Sequence, residues 1–362
     1  MKVIADKKIP GLSDFLSKQL DLELLSLEDI NAQALKNADI LIGRSVLKVN
    51  EALLDNTSVR IVATCSSGTD HIDVNYLNER GIKLFSAPGS NAQAVTDYIL
   101  WMVAYVQSQG KKFAKKAGII GAGYVGSKVK LLLETLGFQV IVNDPPRALR
   151  DPTFVSAELN EIAECDLICL HPSLSVEQPY PSYHLLSTAW WQKVKEHTVI
   201  INASRGAVID TQALLAQNKK FILCCDVFEN EPHVNQALIE NCLIATPHIA
   251  GHTIESFYRA TQMIVNQIHD KLGIVEKNSP CPPFCQGETG TIDASSCRHW
   301  YDVILKCYNF RSKVDLTPTS FYTLRETHRI RQDFATMTIK NSYFLSESDR
   351  TILIRLQLKL ED

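Results

Sequence analysis

The segment that most limits what this chain can fold into is AGIIGAGYVGSKVKLLLETLG, which sets Gly121, Gly123 and Gly126 in the pattern G-x-G-x-x-G between an apolar run and an amphipathic one. Glycines so placed mark the turn from a strand into a helix of a βαβ unit. The first permits the tight turn, the second lets the backbone approach a pyrophosphate, and the third lets helix and strand pack closely. Phosphate oxygens then face free N–H groups and the positive end of the helix dipole. Tyr124 and Val125 complete the expected cofactor loop. The following run, QVIVND, ends at Asp144, where a carboxylate can accept hydrogen bonds from the adenosine ribose hydroxyls. An acid there disfavours a 2′-phosphate, so the expected cofactor is NAD, with nearby Arg147 as the residue able to soften that preference.

Around this loop, short β-rich runs alternate with helical patterns. KVIA, ADILIGRS, RIVATCS and IKLFSA form one series, and AGIIGAG, FQVIVND, DLICLH, VIINAS, FILCCDVF and LIATPHI form a second. Such alternation predicts parallel sheets covered by helices. The expected fold is therefore α/β, with two Rossmann-like doubly wound domains and a small C-terminal α+β module. A helix from about Asn91 through Tyr105, too apolar to lie exposed, joins the two units beside a cleft, and a second, from Ser256 to about Lys271, returns the chain to the first. The boundaries expected are 1–93 completed by 256–280 for a substrate-binding domain, 94–255 for the NAD domain, and 281–362 for the C-terminal module. Glu276 to Thr291 (KNSPCPPFCQGETG within it) reads as a linker or wrapping loop, and the alternating RTILIRLQLKL tail as a strand.

Charge excludes several function classes. Of 362 residues 37 are basic and 40 acidic, interspersed for a net charge of −3, which argues against nucleic acid or a charged membrane as partner. The longest apolar run, Tyr98 to Val106, is far short of the roughly 20 residues a spanning helix needs, and the N-terminal MKVIADKKIPG has no export-signal core. A cytoplasmic location is expected. Cys165, Cys169, Cys224 and Cys225 sit in strand-like runs as buried thiols, while Cys281, Cys285, Cys297 and Cys307, with His299, match no zinc template. No metal is expected.

Hydride transfer from a secondary alcohol needs a cation for the substrate carboxylate, a base for the hydroxyl proton, and a partner that tunes the base. The second series offers all three at strand ends. Arg205 in INASRGAVID presents a planar fork that matches a carboxylate, and His248 in PHIAGHT can exchange the proton. Glu231 in DVFENEP can orient the imidazole, with Glu229 as its competitor and His252 as the competitor of His248. The order R-G, E-P, P-H after a dinucleotide loop is what gives each residue its weight.

On these motifs the chain resembles the D-2-hydroxyacid dehydrogenase family over roughly residues 1 to 270. GRSVLKVN, the glycine loop, NASRGAVID, DVFENEP and TPHIAG are shared with the wider family. SSGTDHID, SAPGSNAQAV, the NDPPRA ending and HIAGHT point to the branch that oxidises 4-phospho-D-erythronate to 2-oxo-3-hydroxy-4-phosphobutanoate in pyridoxal 5′-phosphate synthesis. The resemblance implies Arg205, Glu231 and His248 as the catalytic set. It puts Asp144, Pro172, Ala203, Ser204, Arg205, Asp226 and Gly251 around NAD. Arg44, Ser45, Ser66 and His252 are implied at the phosphorylated 2-hydroxy acid; Arg44 and Lys48 read equally as solvated surface charges. Two positions depart from the branch: His171-Pro172-Ser173 stands where His-Thr-Pro is usual, and His252 where a Tyr is usual. A homodimer is implied through the C-terminal module, which matches only loosely after about residue 285. The rival readings are another D-2-hydroxyacid substrate such as 3-phosphoglycerate, and a non-catalytic NAD-sensing scaffold.

Overall fold

The computed structural model describes residues 1–275, 290–310, 312–328 and 331–362. Cys281, Cys285 and most of the proline- and glycine-rich segment lie outside the described residues. The chain divides into two compact units, one of Met1–Asn91 with the described part of Thr253–Glu288, the other of Ala92–His252 with the described part of Thr289–Asp362.

In the first unit β1 (Lys2–Asp6), β2 (Asp21–Leu25), β3 (Ile40–Gly43), β4 (Ile61–Thr64) and β5 (Lys83–Phe85) pair in parallel in the order β2-β1-β3-β4-β5. Alternate side chains leave the sheet on opposite faces. Val3, Ala5, Ile40 and Ile42 join Ile264 and Ile268 in one core, and Ile4, Leu41, Val62 and Leu77 meet in the other. Burial on both faces is why these strands read as continuous apolar runs. Ile264 and Ile268 come from the helix Ile254–Leu272, whose start is capped by Thr253 accepting from the Ser256 N–H and whose end is turned by Gly273 at φ 68°.

The second unit holds β6 (Lys116–Ile120), β7 (Gln139–Asn143), β8 (Leu167–Leu170), β9 (Val199–Asn202), β10 (Ile222–Cys225) and β11 (Cys242–Ala245). All are parallel, in the order β11-β10-β9-β8-β6-β7. The order reverses between β6 and β8, the switch point at which such sheets open a crevice beyond their carboxyl ends.

The C-terminal part belongs to this unit rather than forming a body of its own. The helix Ala92–Ser108 is apolar nearly all round and needs cover on more than one side. Trp300, Val303 and Ile304, from the helix Trp300–Cys307, share one core with its Tyr98, Trp101 and Val103. The Trp101 indole donates to the Tyr308 carbonyl at 3.0 Å. A small parallel sheet, β12 (Thr291–Asp293), β13 (Thr338–Lys340) and β14 (Lys359–Leu360), completes the segment.

The C-terminal tail corrects the sequence reading. RTILIR lies in a helix, Glu347–Arg355, and only Lys359–Leu360 is strand. Ser346 caps that helix by accepting from the Asp349 N–H, and Leu353 is buried while Ile354 is 59% exposed, so the apparent two-residue alternation is not the buried stripe.

Cys165, Cys169, Cys224, Cys225 and Cys242 are buried free thiols. Among the described residues no three His, Cys, Asp or Glu side chains gather where they could hold a metal ion. No helix among the described residues is long and apolar enough to cross a membrane.

Candidate active site

Because all six strands of the second unit are parallel, their carboxyl ends share one edge. Taken in sheet order from β7 to β11, the chain leaves those ends into Asp144, Gly121, His171-Pro172, Ser204-Arg205, Asp226 to Glu231, and His248. Residues scattered over more than a hundred positions thus line one rim.

The glycine loop is built as its spacing demands. Gly121 stands at φ 88°, and a Cβ there would lie 2.6 Å from the Pro172 nitrogen, against the chain leaving β8. At Gly126 a Cβ would lie 1.9 Å from the Gly121 carbonyl oxygen, so nothing larger fits without moving the turn. Gly123 meets no heavy atom within 4 Å in the same test. It starts the helix Tyr124–Thr135 with no side chain covering the first N–H groups. Ala122, Gly123, Tyr124 and Ser127 line an open depression of about 390 Å³. This is a cradle for an anion: an uncovered helix start, an empty surface, and backbone that can be approached closely. Val125 packs inward against the core, so only its backbone can serve a ligand, whereas Tyr124 is 66% exposed.

Asp144 caps the short helix Pro145–Arg150. Its Oδ2 accepts from the Ala122 N–H at 2.7 Å and its Oδ1 from the Arg147 N–H at 2.9 Å, which ties the loop to the end of β7. Each carboxylate oxygen retains a lone pair for a ribose hydroxyl. Arg147 donates to the Ala122 carbonyl at 2.9 Å and to Ser127 Oγ at 3.1 Å, so its guanidinium braces the same loop. Beside it, burial pushes the His171 imidazole down to about 3 and keeps it neutral.

At the other end of the rim, Asn202 holds the turn after β9. Its Oδ1 accepts from the Ser204 N–H and Oγ, and its Nδ2 donates to the Arg205 carbonyl at 3.0 Å. The Arg205 guanidinium donates to the Ser204 carbonyl at 2.9 Å. Gly206 follows because a Cβ there would lie 1.9 Å from the Phe228 carbonyl carbon. Ser204 is buried and Ala203 half-buried, leaving backbone as their means of meeting a ligand.

His248 and Glu231 face each other, with Nδ1 2.8 Å from Oε2. An ionised carboxylate only accepts, so Nδ1 carries the hydrogen and the neutral ring has its lone pair on Nε2. Glu231 Oε1 accepts from the Phe228 N–H at 2.8 Å, which fixes the carboxylate in turn. Burial works to raise the Glu231 pKa, but the facing imidazole, these hydrogen bonds and Arg325 outweigh it and hold the group below the usual carboxylate range. The competitor is placed elsewhere: Glu229 Oε1 lies 2.6 Å from His184 Nε2, and its Oε2 accepts from the Thr211 N–H.

Asp226 is 1% exposed, and its carboxylate is turned inward, accepting from Thr246 Oγ1 at 2.7 Å and from the Ile249 and Ala250 N–H groups. The geometry makes it an anchor of the His248 loop, a role the sequence did not suggest. Asn202 is a second residue with no signal of its own beyond its place in N-A-S-R-G, where it ends a buried strand and can brace the turn. The Gly251 and His252 backbone lies in the same loop.

In the first unit Arg44 is not a solvated charge: its Nε pairs with Asp6 Oδ2 at 2.7 Å, with 14% and 1% of the two side chains exposed. Ser45 and Lys48 are exposed after β3. Ser66 Oγ, after β4, donates to the Gly68 carbonyl and meets Thr64 Oγ1, which contacts His71 Nε2 at 3.0 Å.

Residues 100–250 match the family model for the D-isomer specific 2-hydroxyacid dehydrogenase NAD binding domain. The erythronate-4-phosphate dehydrogenase of Legionella pneumophila (strain Lens) is 36% identical over 354 residues, which span 96% of this chain and 98% of that one. That of Coxiella burnetii (strain RSA 331 / Henzerling II) is 35% identical over 348 residues, 94% and 95% of the two chains. Among solved structures, the NAD+-bound 3-phosphoglycerate dehydrogenase of Entamoeba histolytica superposes with a TM-score of 0.62 at 23% identity, over 77% of this chain and 99% of that one. At that identity the likeness speaks to the fold.

Proposed function

The chain belongs to the family of the erythronate-4-phosphate dehydrogenases, within the D-isomer specific 2-hydroxyacid dehydrogenases, and from that premise we propose that it oxidises 4-phospho-D-erythronate to 2-oxo-3-hydroxy-4-phosphobutanoate, a step of pyridoxal 5′-phosphate synthesis. The observation that carries this is the Glu231–His248 pair on the same sheet edge as Arg205, in a chain that matches those relatives nearly end to end.

The residues present fit NAD. Gly121 and Gly126 admit no side chain, Gly123 faces open space, and the start of the following helix is uncovered. The Ala122 to Gly126 backbone would hold the pyrophosphate, and Asp144 the adenosine ribose. NAD, when bound, accepts a hydride from the carbinol carbon. His248 Nε2 takes the hydroxyl proton, since Nδ1–H is committed to Glu231. The Glu231 carboxylate stabilises the imidazolium that forms and keeps the ring from turning. Arg205 clamps the substrate carboxylate with its planar fork. Ser45, Ser66 and His252 are the further substrate contacts in this reading, with Arg44 held ready by Asp6.

A homodimer and a cytoplasmic location belong to the same proposal. Tyr343, Phe344 and Ile354 are each more than half exposed on the C-terminal part, which supports contact with a second copy. The buried free thiols support a reducing compartment in this reading. Turnover of 4-phospho-D-erythronate, 3-phosphoglycerate and D-lactate, compared under one set of conditions, tests the reaction. Strong preference for the first is expected. Preference for another acid would keep the catalytic residues and overturn the substrate, and inactivity with all three would favour an NAD-binding scaffold.

A further inference from the structure

The backbone that follows His248 is gripped along both of its polar edges. On one edge the Asp226 carboxylate accepts from the Ile249 N–H at 2.9 Å and the Ala250 N–H at 2.8 Å. On the other, Arg331 Nη2 donates to the Ile249 carbonyl at 2.9 Å and the Ala250 carbonyl at 3.0 Å, and its Nε donates to the His252 carbonyl at 2.7 Å. Arg331 is only 8% exposed, and the Tyr98, Tyr308 and Phe310 rings lie 5.4, 4.6 and 5.0 Å from its guanidinium carbon. A buried cation is retained only where acceptors and ring faces replace its water, and here the three carbonyls bonded to it among the described residues all belong to the His248 loop. His248 itself sits at φ 55°, a conformation that residues other than glycine rarely adopt, so its direction is held by neighbours and not by backbone preference.

We propose that Arg331 is a positioning residue of the dehydrogenase reaction: by holding the Ile249, Ala250 and His252 carbonyls against the pull of Asp226, it keeps the His248 imidazole aligned on Glu231. The C-terminal segment then has a part in catalysis. The inference rests on His248 as the proton-transfer residue. It predicts that a guanidinium is required, because a single ammonium cannot reach three carbonyls in a fixed fork.

The test uses the full chain in four forms: wild type, Arg331→Met, Arg331→Lys and His248→Gln. In Arg331→Met, kcat with 4-phospho-D-erythronate should fall by about 10²-fold while the NADH Kd stays within about 2-fold of wild type. The pH profile of kcat/KM should shift, which lost stability alone would not cause. Arg331→Lys, the milder change, should fold and still lose about tenfold in kcat. Hydrogen exchange at residues 249–252 should quicken in both variants, a readout that needs no substrate. A wild type inactive with this acid overturns the proposed reaction. An active wild type, an inactive His248→Gln and an Arg331→Lys or Arg331→Met of unchanged kcat and pH profile overturn only the role given to Arg331. Unchanged exchange at 249–252 overturns the clamp whatever the substrate.

Discussion

Glu231 Oε2 lies 2.8 Å from His248 Nδ1, and the other oxygen of the same carboxylate is held by the Phe228 N–H at 2.8 Å. The imidazole is oriented by a group that is itself oriented, and in the proposed reaction Nε2 is left to exchange the proton.

His248→Gln should therefore lower kcat by about 10³-fold and leave NADH affinity nearly intact. Glu231→Gln should cost about 10²-fold, because the amide can still hydrogen-bond but no longer stabilises the imidazolium. Steady-state kinetics with separately measured NADH binding checks both. A His248→Gln enzyme of near-normal turnover removes His248 from its assigned role.

Asp144 serves two structures at once, and its loss should show in both. Asp144→Ala should weaken NADH binding about tenfold through the lost ribose acceptor. It should also reduce the stability of the second unit by about 1 kcal/mol, because the cap of Pro145–Arg150 and the bond to Ala122 disappear. Titration calorimetry and chemical denaturation separate the two effects; unchanged NADH affinity would sink the ribose assignment.

Asp97 gives the second unit a pH dependence of unusual sign. Burial first and Asp333 second push its carboxyl up to about 7, against the Phe334 N–H, Gln93 and Arg331, which act the other way. The folded protein therefore holds this proton more tightly than the unfolded chain, whose ordinary value is 3.8. The stability so contributed is complete below about pH 4 and is lost as pH rises through about 7. Thermal midpoints near pH 5 and near pH 8 should differ more in the wild type than in Asp97→Asn. Equal differences would show that Asp97 does not titrate in that window.

Much of this was legible in the sequence because parallel strands buried on both faces announce themselves as apolar runs, and because glycines at positive φ or in close contact cannot be substituted. Gly121, Gly126, Arg205, Glu231 and His248 belong to such local patterns. β2 did not stand out, since it is an edge strand whose Leu24 is 42% exposed and whose Glu23 reaches Lys2 at the surface. RTILIRLQLKL reads as a strand because its apolar residues happen to alternate, while Ser346, the cap of the helix that takes in its first six residues, lies upstream of it. Glu229 competes with Glu231 on sequence alone; folding puts His184 and Thr211 on the first and His248 on the second. Arg331 had no local signal at all, because the carbonyls it serves lie about eighty residues earlier in the chain.

In the proposed reaction, hydride leaves the carbinol carbon of 4-phospho-D-erythronate for NAD while His248 takes the hydroxyl proton. The most direct measurement supplies that acid deuterated at C2, with NAD, and reads the label in the nicotinamide product by mass spectrometry. The NADH formed should carry the deuterium, wild-type turnover should slow with the labelled acid when chemistry limits the rate, and His248→Gln should form almost none. NADH without the label, or no NADH from this acid under conditions where another 2-hydroxy acid is oxidised, would contradict it.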